Sequence, residues 1–287
     1  MTPLVSAPAT VSGSSAASAA EPPARFRDLL AAEWIKTRSL RSTTWTIALI
    51  TLFVIGSAAM AALADYNNLA GSGPSARQPV GFRPFDSYPP AGYWTLMLVA
   101  GTIGALTVVS EYSSGLIRTT TVAVPARGSV VLAKAVVTAA LWTVVGTVVA
   151  TGSFLVAQAV LDGRHAGVSI THPGVARALL ASALSAPVCA LIGLGIGVLV
   201  RHSAATMVTS IFTLLMLPEL FPDTKPWPAH VNHAMVIIAW RRLVQNWGPD
   251  PGSLRLSATV HGSWTVYLLW PLIAVVLAVL VVRRRDV

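Results

Sequence analysis

The chain has 287 residues, of which 54% are hydrophobic and only 11% are charged, whereas a soluble domain carries about 25% charged residues. This composition excludes an ordinary soluble domain and is typical of a polytopic membrane protein. The formal net charge of +9 is better explained by bases that flank membrane spans than by nucleic-acid binding. The single cysteine, Cys189, excludes an intrachain disulfide. We therefore predict an all-α polytopic membrane protein.

The first 44 residues precede any apolar run. Residues 1–24 are rich in Ala, Ser and Pro and lack the basic and apolar regions of a signal peptide, so they are predicted to be a disordered cytoplasmic tail. Residues 25–41 are predicted to form an amphipathic helix before the first span. Glu33 falls inside its apolar arc and makes the stripe imperfect. The arc consists of Phe26, Leu29, Leu30 and Trp34.

Six runs free of Asp, Glu, Lys and Arg are candidate spans, since a spanning helix needs about 20 mostly apolar residues. They cover residues 45–64, 93–110, 135–161, 178–200, 204–218 and 264–282. The fifth is short, and the third is long enough to tilt or project from the bilayer. Residues 45–287 are therefore predicted to be a six-span transmembrane domain.

The distribution of basic residues predicts the orientation. With a cytoplasmic N-terminus, twelve bases lie inside and eight outside, and the twelve cluster near span ends, where the positive-inside rule applies. The inside set is Arg25, Arg27, Lys36, Arg38, Arg41, Arg118, Arg127, Lys134, Arg201, Arg283, Arg284 and Arg285. Both termini are predicted to be cytoplasmic. Residues 66–90 and 222–262 become external segments, and 230–246 could form a short helix at or in the outer leaflet.

Several site types are missing or weakly supported. A phosphate-binding P-loop needs Gly-Lys, and none of the three lysines follows a glycine, so no ATP site is predicted in this chain. Gly193 and Gly197 have small-xxx-small spacing, which predicts close helix packing. His230 and His233 could share a metal, but without a third ligand nearby two unligated histidines are the preferred interpretation.

The predicted spans carry few groups capable of chemistry. Apart from Ser and Thr they offer Gln158 and Cys189, and no nucleophile, base and orienting group recur at a recognisable spacing. Proton- and ion-coupled transporters usually carry intramembrane acids or histidines. The composition of the spans therefore weakens both a membrane-embedded enzyme and an ion-coupled transporter, and no catalytic, metal or cofactor-binding residue is predicted.

The predicted cytoplasmic stretch from Glu111 to Lys134 (EYSSGLIRTTTVAVPARGSVVLAK) has an unusual mixture of residues. Gly115 permits a turn, and Leu116, Ile117 and the following threonines can form a short helix that Pro125 ends. A basic loop that obeys the positive-inside rule would explain the bases alone. A short helix with apolar and charged faces suits a groove on another protein.

The pattern E-Y-x-x-G-x-I-R-T-T-x-x-x-x-P-x-R-x-x-x-x-x-A-K in this stretch resembles the cytoplasmic segment between spans two and three of ABC transporter permeases of the type-2 exporter family. The pattern E-W-x-K-x-R-S-x-R-S-T-x-W over residues 33–45 resembles the region before that family's first span, and the R-R-D of residues 284–286 is also similar. Actinobacterial members are the most similar. The resemblance covers the chain apart from residues 1–24 and the segment 222–262.

The resemblance implies a permease subunit in a bacterial plasma membrane, with no enzymatic activity and no cofactor of its own. Its expected partners are a separate ATPase subunit that binds Mg-ATP, a second identical or different permease chain, the bilayer and an unknown exported substrate. It implies an interfacial elbow helix within residues 25–44 that includes Glu33, Trp34, Lys36 and Arg38. It also implies a coupling helix seated on the ATPase, formed from Glu111, Gly115, Ile117, Arg118, Thr119, Thr120, Pro125, Arg127 and Lys134. A membrane-embedded enzyme and a non-transporting anchor or sensor stay open as alternatives.

Overall fold

A computed structural model describes residues 25–71, 81–115, 127–248 and 256–284. In these ranges all regular structure is helical, as the sequence predicted. The first helices are α1 (Phe26–Ser39), α2 (Arg41–Gly71), α3 (Pro84–Ser87), α4 (Pro90–Ser113) and α5 (Arg127–Asp162). They are followed by α6 (Val175–Val200), α7 (Ser203–Glu219), α8 (Pro226–His233), α9 (Val236–Val244) and α10 (Val260–Arg284).

Five helices in the described ranges are long and apolar enough to cross a membrane, namely α2, α4, α5, α6 and α10. The chain therefore has the helix lengths and hydropathy of a multi-pass membrane protein. Each of the five contains one predicted span and extends beyond it at one or both ends, because backbone hydrogen bonding continues into the flanking residues. With 36 residues, α5 is about 54 Å long and exceeds a hydrocarbon core of about 30 Å.

The fifth predicted span corresponds to α7, which has 17 residues and is shorter than the other five. Its middle, Phe212–Met216, is a π-helical segment. Pro218 lies just beyond this segment, where its ring and missing N–H disturb regular α-helical hydrogen bonding.

Helix α6 occupies the centre of the bundle. It is the most buried of the five long helices, whereas α2 and α10 are the least buried, and it packs against α4, α5 and α10. Alanine, glycine and serine supply much of its buried surface, which lets neighbouring backbones approach closely. Next to it, the buried rings of Tyr93 and Trp240 stack with centroids 5.3 Å apart.

Ion pairs and ring contacts show which helix ends share a face of the bundle. Lys36 of α1 contacts Glu111 at the end of α4, the Arg201 guanidinium lies over the Tyr112 ring, and Gly128 lies against the Arg283 side chain. We call this the acid–lysine face. It holds α1 and the end of α10, so the first and last described residues lie on the same side of the bundle.

The opposite face is formed by the short helices α8 and α9, by α3 and by the beginning of α6. The Asn246 amide donates a hydrogen bond to the Phe82 carbonyl (2.6 Å), and the Arg177 guanidinium donates to the Leu243 carbonyl (2.9 Å). Where the sequence predicted one short helix over 230–246, the structure has two. The Met235 amide donates a hydrogen bond back to the Asn232 carbonyl at the junction, where the helix is interrupted.

Candidate functional site

Four charged side chains from three helices meet at the acid–lysine face. Lys134 Nζ of α5 lies 2.6 Å from Glu33 Oε2 of α1 and 3.0 Å from Glu111 Oε1 of α4. Lys36 Nζ lies 2.8 Å from Glu33 Oε1 and 3.0 Å from Glu111 Oε1. We call these four residues the acid–lysine cluster. It forms a closed ring of alternating charges that joins α1 to the helices on either side of the segment 116–126.

Local helix geometry places these side chains. Glu33 and Lys36 are three residues apart on α1 and therefore share one face of the helix. Glu111 lies in the last turn of α4, and Gly115 follows in the left-handed conformation (φ 72°) that commonly ends a helix. Lys134 lies two turns into α5, so its long side chain can lie between the two acids.

Most of the ring is buried, so the loss of one charge would leave its partners unpaired and poorly solvated. Glu33, Glu111 and Lys134 are each less than 10% exposed, whereas the Lys36 side chain is 46% exposed. Burial acts to raise the pKa of Glu33, but the charges and hydrogen bonds of Lys134 and Lys36 outweigh it and hold that pKa below its usual value. Burial acts to lower the pKa of Lys36, but Glu33 and Glu111 raise it overall. The contacts within the ring therefore favour the charged forms of Glu33 and Lys36.

A cavity of about 640 Å³ extends from the cluster along the helices. Serine and threonine hydroxyls line its walls next to the charges, and apolar side chains line the far end. Its lining comes from α1, the first turns of α2, the last three turns of α4 and residues 134–142 of α5. The sequence did not predict this cavity, because its walls come from four separate helices.

The structure brings together four of the residues that the sequence singled out and separates others. Trp34 and Arg38 are exposed, outside the cluster. Arg127 begins α5. The predicted coupling residues Ile117, Arg118, Thr119, Thr120 and Pro125, and the short helix expected around them, lie outside the described residues.

The two glycines predicted to mediate helix packing lie where α6 crosses α4. A Cβ atom at Gly193 would overlap the carbonyl oxygen of Gly101, and one at Gly197 would come within 2.8 Å of the Ala105 carbonyl oxygen. The contact also uses Gly104, where a Cβ would overlap the Ala190 carbonyl oxygen. The two backbones are therefore in direct contact along this crossing.

The histidines considered as metal ligands lie on the opposite face. The His233 ring nitrogen Nε2 lies 3.2 Å from the Leu256 carbonyl oxygen. In the part of the chain that the structure describes, no three His, Cys, Asp or Glu side chains are grouped closely enough to hold a metal ion.

A second cluster of charged side chains, which the sequence did not predict, lies on the opposite face. Asp65 near the end of α2 accepts a hydrogen bond from Arg83, and Asp86 of α3 lies beside both. Burial, followed by the charge and a hydrogen bond of Asp65, raises the pKa of Asp86 from 3.8 to about 7, against the opposing charge of Arg83. The only sequence signal was an acid within the Pro-rich stretch RPFDSYPP.

The raised pKa of Asp86 predicts that stability falls as pH rises. The folded state binds more protons than the unfolded state between pH 3.8 and about 7, so the stabilisation is full at about pH 4 and is lost as pH rises through 7. Because Asp86 is partly exposed, we expect an effect of about 1 kcal/mol, or about 3 °C in Tm. Thermal unfolding of detergent-solubilised protein at pH 5 and pH 8 measures it.

The matched variant for this prediction is Asp86→Asn, which cannot titrate. It should abolish most of the Tm difference between pH 5 and pH 8, while Asp28→Asn, at an exposed position of α1, should keep it. The contrary result is a wild-type Tm that is higher at pH 8 than at pH 5, together with an Asp86→Asn Tm that is higher at pH 5 than at pH 8. It would show that Asp86 is not protonated in the folded state.

Comparison of the chain with protein families and with curated proteins identifies no relative. No protein-family model matches the chain, and no curated protein matches it.

Proposed function

We propose that the chain is the permease subunit of an ATP-driven ABC exporter, and that it is moved by a separate ATPase bound at the acid–lysine face. The observation that carries the proposal is the ring of Glu33, Lys36, Glu111 and Lys134. The helices α4 and α5, which flank the segment 116–126, are tied to each other and to α1 by this ring, three members of which are buried. A force applied to that segment by a partner would therefore move three helices together.

The chemistry of the ring suits such a junction. Buried ion pairs hold a defined geometry, because separating them leaves uncompensated charge in a poorly solvated site. A ligand can shift a conformational equilibrium only through different contacts in the two states. In this proposal, ATP binding by the partner changes the contacts of the coupling residues around Arg118, and the ring transmits that change to α1 and the spans.

In the proposed topology α7 is a sixth span, and both chain termini are cytoplasmic. Three contacts support the path of α7. It begins two residues after Arg201, which lies over the Tyr112 ring at the acid–lysine face. Its Leu214 contacts Gly101 midway along α4, and its Pro218 carbonyl accepts a hydrogen bond from Asn232 of α8 (2.9 Å). Its 17 residues span about 25 Å, close to a hydrocarbon thickness.

Three groups that an intramembrane enzyme could use, namely Gln158, His202 and Cys189, have structural roles here. Gln158 donates to the Ser87 hydroxyl (3.1 Å) and accepts from the Val168 amide (2.8 Å). His202 caps the start of α7 by accepting from the Ala205 amide, and Cys189 is fully buried against apolar side chains. These contacts favour a subunit without chemistry of its own.

Site-specific photocrosslinking in the native membrane tests the proposal. A photoreactive residue at Thr120 should crosslink to a protein that is itself labelled by a photoreactive ATP analogue. The same residue at Gly81, which is exposed on the opposite face, should not. Arg118→Ala should lower the ATPase activity that co-purifies with the tagged chain by about tenfold, equivalent to about 1.4 kcal/mol of binding energy.

The control variant is Arg27→Ala, which removes an exposed base from the same face and should keep the co-purified activity. Equal membrane levels of all variants would exclude a failure of insertion. If Thr120 never crosslinks to an ATP-labelled protein, and ATPase activity does not co-purify with the wild-type chain, the exporter assignment is wrong and a non-transporting anchor or sensor is preferred.

A further inference from the structure

The cavity beside the acid–lysine cluster has the polarity of a binding site for an amphiphile. One end is formed by charged groups, including Lys36, and by the hydroxyls of Ser42 and Thr43. The other end is formed by apolar side chains, including Ile103 and Leu141. Its volume of about 640 Å³ is within the range of about 300–1,000 Å³ that holds small-molecule ligands.

The dimensions of the cavity suit a headgroup followed by a hydrocarbon chain. Ile103 and Glu111 are eight residues apart on α4, so the apolar end lies about 12 Å along the helix from the charges. Trp142 and Lys134 have the same separation on α5. Protein interiors are close-packed, and the side chains that line an empty void lose favourable dispersion contacts. A membrane supplies amphiphiles that can fill such a void.

The local charge favours an anionic headgroup. Described residues at this face include ten bases and three acids: Arg25, Arg27, Lys36, Arg38, Arg41, Arg127, Lys134, Arg201, Arg283 and Arg284 against Asp28, Glu33 and Glu111. Lys36 uses two of its three ammonium protons on the two acids of the cluster and is half exposed at the cavity. Its third proton and the Ser42 hydroxyl can donate to an anion.

We propose that this cavity binds one single-chain amphiphile with an anionic headgroup. The headgroup accepts hydrogen bonds from Lys36 and the hydroxyls at the start of α2, and the chain lies between α4 and α5 beside Leu106 and Leu141. Because the ligand would touch α1, α2, α4 and α5, its binding would hold the four helices in the arrangement seen here. The inference does not depend on an ATPase partner.

Native mass spectrometry of the detergent-solubilised full chain tests the proposal with two probes of equal chain length. Oleoyl-lysophosphatidylglycerol carries a net negative charge, and oleoyl-lysophosphatidylcholine carries none. We expect saturable binding of one equivalent of the anionic lipid, with about fivefold weaker binding of the zwitterionic lipid, equivalent to about 1 kcal/mol for one charge contact. Lys36→Gln should remove most of this preference.

A substitution that fills the cavity distinguishes lipid bound inside it from lipid bound non-specifically to the protein surface. Thr107→Phe places a ring in the cavity wall and should weaken binding of the anionic lipid at least about tenfold. The matched control is Thr143→Phe, on an exposed position of α5 outside the cavity, which should change binding less than twofold. If Thr107→Phe does not fold, Ser110→Phe at the exposed rim provides the same test.

Three results would overturn the proposal. They are no saturable binding of either probe, equal binding of the two probes to the wild-type chain, and undiminished binding by a folded filling variant. The last result would assign the bound lipid to the outer surface of the helices, where α2 and α10 expose large apolar side chains.

Discussion

Replacing Lys134 by methionine is expected to destabilise the protein by about 3 kcal/mol, because two buried carboxylates lose a common partner. Lys134 is only 7% exposed and contacts both Glu33 and Glu111. In the variant, Lys36 alone would face two acids, and it is itself half exposed. The expected fall in Tm is about 8 °C, measured by thermal unfolding of the detergent-solubilised chain.

The matched control is Lys36→Met, which removes the other lysine of the same ring. Because the Lys36 side chain is 46% exposed, water can replace much of its contribution, and we expect a loss below about 1 kcal/mol. Equal destabilisation by the two variants would show that burial does not distinguish the two lysines.

A double variant tests whether the cost of Lys134→Met arises from unpaired charge. Glu33→Gln with Lys134→Met removes one acid and one base and leaves Lys36 paired with Glu111. It should be more stable than Lys134→Met alone, although it carries one more substitution. Measuring Glu33→Gln alone completes the double-mutant cycle and gives the coupling energy of the two positions. A double variant less stable than the single one would indicate that Lys134 acts through packing of its aliphatic stem instead.

The apolar runs of the sequence were sufficient to predict an all-helical protein and the location of its long helices. Runs without charged residues identify α2, α4, α5, α6 and α10 because a bilayer penalises charge within a span. The ends of most of these helices could not be predicted in the same way, since a helix can continue past the end of the hydrophobic run. Asp65, for example, lies within the helical part of α2 although it follows the predicted span.

The residues of the acid–lysine cluster were all singled out in the sequence, but their association was not predicted. Glu33 interrupts an apolar helix face, and Glu111 and Lys134 lie at the two ends of the stretch 111–134. Their contacts join residues 101 and 75 positions apart, and neither helical periodicity nor a short motif predicts such pairs. The interruption by Glu33 was the usable signal, because a buried acid requires a partner.

This cluster also changes the interpretation of α1. An interfacial helix held only by its apolar face could slide or rotate on the bilayer. Glu33 and Lys36 instead fix α1 to α4 and α5 at defined side-chain distances of 2.6 to 3.0 Å. In the proposed exporter, α1 therefore moves with the ends of the spans. Variants that break the ring should loosen α1 without unfolding the centre of the bundle, which is built from α6 and its neighbours.

Placing a side chain at Gly193 is expected to disrupt that centre. Its missing Cβ allows α6 to lie directly against the Gly101 carbonyl of α4, and backbone cannot move aside as a flexible side chain can. We expect Gly193→Val to cost at least about 3 kcal/mol, at the upper end of overpacking effects, and to lower Tm and the yield of folded protein. Gly56→Val is the matched control, since a Cβ at Gly56 of α2 meets nothing within 4 Å. If the two valine variants unfold at the same temperature, the α4–α6 contact does not limit stability, and the small residues of α6 serve another purpose.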